Sequence, residues 1–279
     1  MSQSWTKSVN QPPVSVRIDD ITQYVISIDW AEEAPIDIFY KTTRDIIQVA
    51  QPAFLAGHPS MGSLFLVGVV SATENYFRDI FSRIIHICPK AKKKSANQSI
   101  NLGSVIWHSG INVERGAFEH KSFACAKTIR TTCTDFLDYP LKQNGLAASI
   151  LNEYENVCEL RHGIVHSNSI LAGKNALKLL IKPTPLKVAK IQIDYPQIQE
   201  CTLICTTLVT SFNLELFEEM GKRWAVEWHT SYSNKELNSL FNKLWNIFYS
   251  QIDASSGTIV KSLTPAKCKN MIKKAYNVS

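Results

Sequence analysis

The sequence predicts a mainly α-helical protein, and three observations carry that prediction. Apolar residues recur at helical spacing from Leu66 to Ile85, as Leu66, Val69, Val70, Thr73, Phe77, Ile80, Phe81, Ile84 and Ile85. The same period returns after Gly145 in Leu146, Ile150, Leu151, Tyr154, Val157 and Cys158, running on to Ile164 or Val165. A third long stripe follows Pro196 through Leu203, Ile204, Leu208, Phe212, Leu216 and Phe217 to about Trp224. Strict alternation is confined to short stretches at the N-terminus and after Asn168.

In chain order, Val14, Val16 and Ile18, then Tyr24, Ile26 and Ile28, alternate and predict short N-terminal strands or an arm. Pro35 stands at a helix start and Pro52 lies beyond its end, so a first helix is expected between them. Residues 63 to 88 then form the central helix, which Pro89 stops. Within it Glu74 and Arg78 stand four apart in the favourable order for a helical ion pair. Residues 90 to 122 read as a long polar loop, of which Trp107 and Ile111 are expected to pack back on the core.

Helical spacing resumes from about Phe118 to Leu137, before Pro140, and again from Gly145 to the stretch Glu159-Leu160-Arg161-His162-Gly163-Ile164-Val165-His166-Ser167-Asn168. Two runs, 176 to 181 and 188 to 193, then predict a small β-hairpin excursion across Pro183 and Pro185. The helix after Pro196 and two more, Asn234 to Tyr249 and Ala266 to Tyr276, complete the chain. The expected division is 1–62, an arm plus a helix, 63–225, the principal helical domain, and 226–279, a helical extension.

The chain has 279 residues, 45% hydrophobic and 19% charged, the proportions of a globular protein rather than a disordered one. Its net charge of +6 favours polyanionic partners without naming one. Part of the excess lies in Lys90, Lys92, Lys93 and Lys94, which read either as solvated surface or as a nucleic-acid contact. Seven cysteines show no CxxC pair, several fall on apolar stripes, and no secretory signal is legible, so a reducing cytosol is expected. The longest apolar run, Leu64 to Ala72, is far short of the roughly 20 residues of a membrane span. There is no Gly-rich phosphate loop, and no Ser/His/Asp or Cys/His grouping points to acyl transfer.

Arg161 and His166 are the residues with chemical promise. A fixed cation and an imidazole are two groups that phosphodiester chemistry uses. Five positions on an ideal helix turn through about 140° and rise about 7.5 Å, so the two do not share a face. Either the helix unwinds around Gly163 or a second copy of the motif completes the site. Arg161 lies on the stripe of Ile150, Tyr154 and Val157, and a half-buried arginine needs a partner, for which Glu74 and Glu159 are candidates. Metal binding competes, since Cys158, His162 and His166 repeat every four residues. The outer two are about 12 Å apart along the axis, however, so a site needs further ligands, such as His86, His108 or His120.

Arg161-His162-Gly163-Ile164-Val165-His166, with Ala72-Thr73-Glu74-Asn75-Tyr76-Phe77-Arg78-Asp79 on the earlier helix, resembles the HEPN family of helical domains, whose motif is Arg-x(4–6)-His. The resemblance covers roughly residues 63 to 225, and Ser167-Asn168-Ser169 stands where the family often has a glycine after the histidine. It implies a HEPN-like helical bundle and a metal-independent endoribonuclease of bacterial defence or toxin systems, acting as a homodimer without a cofactor. On that reading Arg161 clamps the scissile phosphate, His166 moves the proton of the 2′-hydroxyl, His162 fills the polar position after the arginine, and Glu74 orients Arg161 or His166. Arg78, Lys92, Lys93, Lys94 and Asn168 are the expected RNA contacts. An antitoxin or another defence-system protein is an expected partner. The alternative is a catalytically silent helical module of the same kind, in which Arg161 and His166 serve an interface.

Overall fold

The computed structural model describes residues 9, 17–27, 32–108, 112–259 and 263–278, apart from the side chain of Thr230. Among them the structure has 13 α-helices and no strand. Contacts divide the chain after Glu32 into Met1–Glu32 and Glu33–Ser279. In the first unit the described residues form a 3₁₀ turn, Ile21–Tyr24, opened by Asp20, whose carboxylate accepts from Thr22 N at 2.9 Å. Of the expected N-terminal strands, Ile18 and Ile26 are exposed and Tyr24 sits in this turn, while Val14, Val16 and Ile28 lie outside the described residues.

The second unit is organised around α3 (Met61–Ile87). Its stripe is buried from Leu66 to Ile87, and α1 (Pro35–Val49), α8 (Leu146–Ser167), α10 (Tyr195–Val226) and α11 (Asn234–Phe248) all pack against it. Those starts obey local chemistry: Pro35 occupies the first turn of α1, Asp194 and Gln197 form a capping box before α10, and Ser233 and Glu236 form one before α11. Phe77, Phe81, Phe118, Phe123 and Phe136 make a continuous aromatic cluster beside α3, with neighbouring centroids 4.9 to 6.0 Å apart. Trp224 and Trp228 are both core residues.

Shorter helices fill the expected loops: α2 (Pro52–Gly57), α4 (Pro89–Ser95), α5 (Leu102–Trp107) and α6 (Val113–Gly116). Trp107 is 83% exposed rather than packed, Ile111 lies outside the described residues, and Phe118 and Phe123 supply the anchors instead. The helix expected from Phe118 begins later, as α7 (Ala126–Leu137). Two further helices, α12 (Gln251–Ser256) and α13 (Pro265–Ala275), follow α11.

The β-hairpin is absent from the described residues. Residues 176 to 178 of its first arm belong to α9 (Gly173–Lys178) and 179–180 form a turn, and the pairing described there is a single antiparallel bridge between Ile170 and Lys190. The alternation of 188 to 193 nevertheless reports an extended segment, with Ile191 and Ile193 buried and Lys190 and Gln192 exposed. The helices, not a partner strand, take up those side chains. A Cβ on Gly163 would fall 2.6 Å from Ile191 Cδ1, so the glycine lets this segment lie against α8. A Cβ on Gly62 would meet the Ile193 carbonyl oxygen itself.

Candidate functional site

Glu74 is the anchor of the region around the Arg161 motif. It faces inward from α3, its side chain 8% exposed. Its Oε1 accepts from Phe123 N at 2.8 Å, Ala124 N at 3.1 Å and Ser122 Oγ at 3.1 Å. Arg78 Nη2, one turn on, reaches Glu74 Oε1 at 3.4 Å and donates to Lys121 O at 3.1 Å, with its guanidinium 5.9 Å from the Phe123 ring centroid. The Glu74–Arg78 pair is therefore part of a sunken junction rather than a surface ion pair. From the other side α8 grips the same segment: Tyr154 Oη donates to Phe123 O at 3.2 Å, and Glu155 Oε2 accepts from Ala126 N, the first amide of α7, at 2.7 Å.

Arg161 enters this junction from α8. Its Nη2 stands 3.9 Å from Glu74 Oε2, an ion pair too long for a hydrogen bond. Its side chain is 23% exposed, and its buried Nε has no hydrogen-bond partner among the described residues. Arg223 on α10 behaves differently. That side chain is fully buried, and it donates to Leu137 O at 2.7 Å, to Asp138 O at 3.1 Å and to Glu219 Oε1 at 2.7 Å. Arg223 is thus a structural cation that satisfies the carbonyl end of α7, whereas Arg161 keeps donor capacity in reserve.

The structure brings Glu74, Arg78 and Arg161 together and leaves His166 apart. Helix α8 runs unbroken through Gly163 to Ser167, so the unwinding that would swing His166 toward Arg161 does not occur. Both His162 and His166 are exposed, with ring centroids 4.5 Å apart along the helix. Asn168 ends α8 in the left-handed conformation (φ 50°), and Ser169 follows at φ 65°, so an asparagine takes the αL cap where a glycine is usual. Asn168 N donates to Gly163 O.

The lysine run is elsewhere. Lys92, Lys93 and Lys94 are exposed on α4, which begins fifteen positions after Glu74, beyond about 20 Å of α3. Lys94 and Lys90 pair with Asp138 at 3.2 and 3.4 Å and hold its carboxyl below the usual range.

A cleft of about 160 Å³ lies beside His162, which lines it with Cys125, Glu155, Cys158, Glu159 and Lys178 among others. Glu159 is buried and accepts from Asn175 Nδ2 at 2.5 Å and from Lys178 Nζ. It is therefore matched by α9 and is no partner of Arg161. Burial pushes the Cys158 thiol far above its ordinary value, which disfavours the thiolate a metal needs. Among the described residues no three His, Cys, Asp or Glu side chains converge on a metal-sized site. His86 and His108 face Glu114 and Glu119 at 3.0 and 2.8 Å instead.

A second polar knot adjoins the first and has no sequence signature. Asp79, one turn beyond Asn75 and buried, pairs with Arg115, whose Nη2 donates to Asn75 Oδ1 at 2.7 Å. Asn75 and Asp79 fall on the stretch of α3 that carries Glu74 and Arg78, but Arg115 comes from α6, which no local periodicity announces.

No helix among the described residues is long and apolar enough to cross a membrane. Comparison of the chain with protein-family models, with curated proteins and with solved structures finds no match, and its own residues carry the functional reading.

Proposed function

We propose that this protein is a HEPN-like, metal-independent endoribonuclease that works as a homodimer, with Arg161 and His166 of two copies in one cleft. The observation that carries the reading is the state of Arg161. It is half sunk beside Glu74 and held only at 3.9 Å, with a buried Nε unbonded, on the helix that also carries the exposed imidazoles of His162 and His166. A guanidinium kept in place but not used up suits a phosphate, which takes two parallel N–H donors.

The chemistry follows from the residue types. An RNA 2′-hydroxyl attacks the adjacent phosphorus: the O2′–P bond forms, the P–O5′ bond breaks, and a 2′,3′-cyclic phosphate results. One His166 takes the 2′-hydroxyl proton, and the protonated His166 of the second copy gives a proton to O5′. Arg161 stabilises charge on the non-bridging oxygens. DNA lacks the 2′-hydroxyl and is spared.

A second copy is needed because α8 is straight at Gly163. Support for such an interface comes from the exposed apolar side chains around the end of α8, namely Val165, Ile170, Leu177, Leu180, Leu186 and Val188. Arg78 is committed to Glu74 and the 121–124 segment, so its contribution is to position Arg161. Lys92, Lys93 and Lys94 are proposed as a distal RNA contact. An antitoxin-like partner and a cytoplasmic setting remain part of the same proposal.

The test is cleavage of single-stranded RNA, with EDTA present, by wild type, Arg161→Ala and His166→Ala. Loss in both variants, with folding intact and cyclic-phosphate ends in the wild-type products, is expected. Cleavage that survives both substitutions overturns the assignment, and cleavage abolished by EDTA overturns the metal-independent mechanism. The alternative of a silent interaction module draws on the same exposed apolar side chains around the end of α8, with Arg161 and His166 serving the interface. That reading predicts self-association without cleavage.

A further inference from the structure

A different part of the molecule holds a larger concavity than the cleft beside His162. Between α1, α10, α11 and α12 lies a cavity of about 730 Å³, within the roughly 300–1,000 Å³ range of small-molecule sites. Its walls include Tyr40, Phe217, Trp245, Phe248 and Tyr249. The Trp245 and Tyr249 rings stack at 4.5 Å with 22° between planes, and Phe217 packs on Phe248 at 5.5 Å. Asp253 is the one charged side chain among the described lining residues. Its carboxylate is engaged by Tyr40 Oη at a long 3.3 Å.

The neighbouring polar groups are already satisfied. Asp37, buried behind Tyr40, accepts from Ser250 Oγ at 2.5 Å and Gln251 N at 2.8 Å. Asn213 donates to Phe248 O at 2.8 Å and faces Tyr76 Oη at 3.5 Å. What remains is a carboxylate at the edge of an aromatic box, bonded to the neutral hydroxyls of Tyr40 and Ser250, with no lysine or arginine among the described lining residues. Burial raises the Asp253 carboxyl above its ordinary value, as expected of an acid without a cationic partner.

We infer that this cavity binds a small organic cation with a flat apolar body, its charge on Asp253 and its body against Trp245 and Phe217. Aromatic faces attract a cation as well as an apolar body, so both halves of such a ligand are recognised. A metal cation is a poor fit, because one carboxylate and a few hydroxyls supply too few oxygens. An anionic ligand meets only repulsion from Asp253, with Asp37 behind it. The inference is independent of the RNA reading. None of the described lining residues belongs to α3 or α8, the helices that carry Glu74 and Arg161.

Three probes with one body and different heads test it by isothermal titration calorimetry on the full chain: 2-(2-naphthyl)ethylamine, 2-naphthaleneethanol and 2-naphthylacetate. Saturable binding of the amine, at least tenfold tighter than the alcohol and with no binding of the acetate, is expected. Asp253→Asn, which keeps the shape and removes the charge, should erase the preference for the amine. Leu214→Lys, at an exposed position on the rim, should weaken the amine and strengthen the acetate without touching the core. Equal affinities for all three heads, an unchanged amine preference in both variants, or no saturable amine binding would each overturn the inference.

Discussion

Replacing Glu74 by alanine removes the acceptor on which three chain segments converge. Phe123 N and Ala124 N lose their partner, and an unsatisfied buried amide costs about 1–3 kcal/mol. Phe123 is fully buried and Ala124 only partly, so the first sits at the upper end of that range and the second at the lower. Arg78 and Arg161 also lose their counter-charge, although each keeps some solvent contact. The total should be about 3–5 kcal/mol, the range found when one partner of a buried ion pair is deleted. For a unit of this size that corresponds to a drop in Tm of about 6–20 °C. Glu74→Gln keeps an amide oxygen for Phe123 N and Ala124 N and removes only the charge, so about 1 kcal/mol is expected. Guanidinium denaturation of wild type, Glu74→Gln and Glu74→Ala measures the order directly. If Ala and Gln cost the same, or if Ala costs under about 1 kcal/mol, the junction is not held by Glu74 as an acceptor.

Further outcomes follow from the same geometry. Arg161→Lys keeps the charge but not the planar fork, so RNA cleavage should fall by about 10²–10³-fold with folding unchanged; equal activity would remove the bidentate role. Gly62→Ala should destabilise by about 3 kcal/mol or more, because its Cβ meets backbone at Ile193 O. Gly163→Ala should cost only about 1 kcal/mol, since Ile191 Cδ1 is the movable end of a side chain and alanine favours the helix. Equal unfolding midpoints for these two variants would contradict that distinction. Stability should also decline in alkali. Burial pushes the thiols of Cys201 and Cys205 from 9.0 up to about 11 and about 12. The native state thus keeps protons that the unfolded chain releases, so their contribution is complete below pH 9 and is lost as pH rises from 9 toward 12. Denaturation at pH 8 and pH 10.5 should show the fall, Cys205→Ala should lessen it, and a flat profile would refute it.

The sequence by itself determined most of the helical framework. Stripes on α3, α8 and α10 are legible because burying one face of a helix demands a 3.6-residue period, and Pro35, Pro89 and Gly145 mark ends through local backbone chemistry. Its reading of 188 to 193 as extended was sound, yet the hairpin was not. Period two reports that alternate side chains are buried, not what buries them, and here α8 does so across Gly163. Glu74 and Arg161 could be nominated as partners from their patterns alone. Only tertiary structure decided that Glu74 is also the acceptor for the 122–124 segment, that Glu159 belongs to α9, and that Arg115 joins Asp79 from a short helix without a stripe. These are pairings between residues 16 to 50 positions apart, set by how the helices pack. The separation of Arg161 from His166 is the mixed case. Helical geometry foretold it, but the continuity of α8 through Gly163 had to be seen, because one glycine costs about 1 kcal/mol and close packing of Ile191 offsets it.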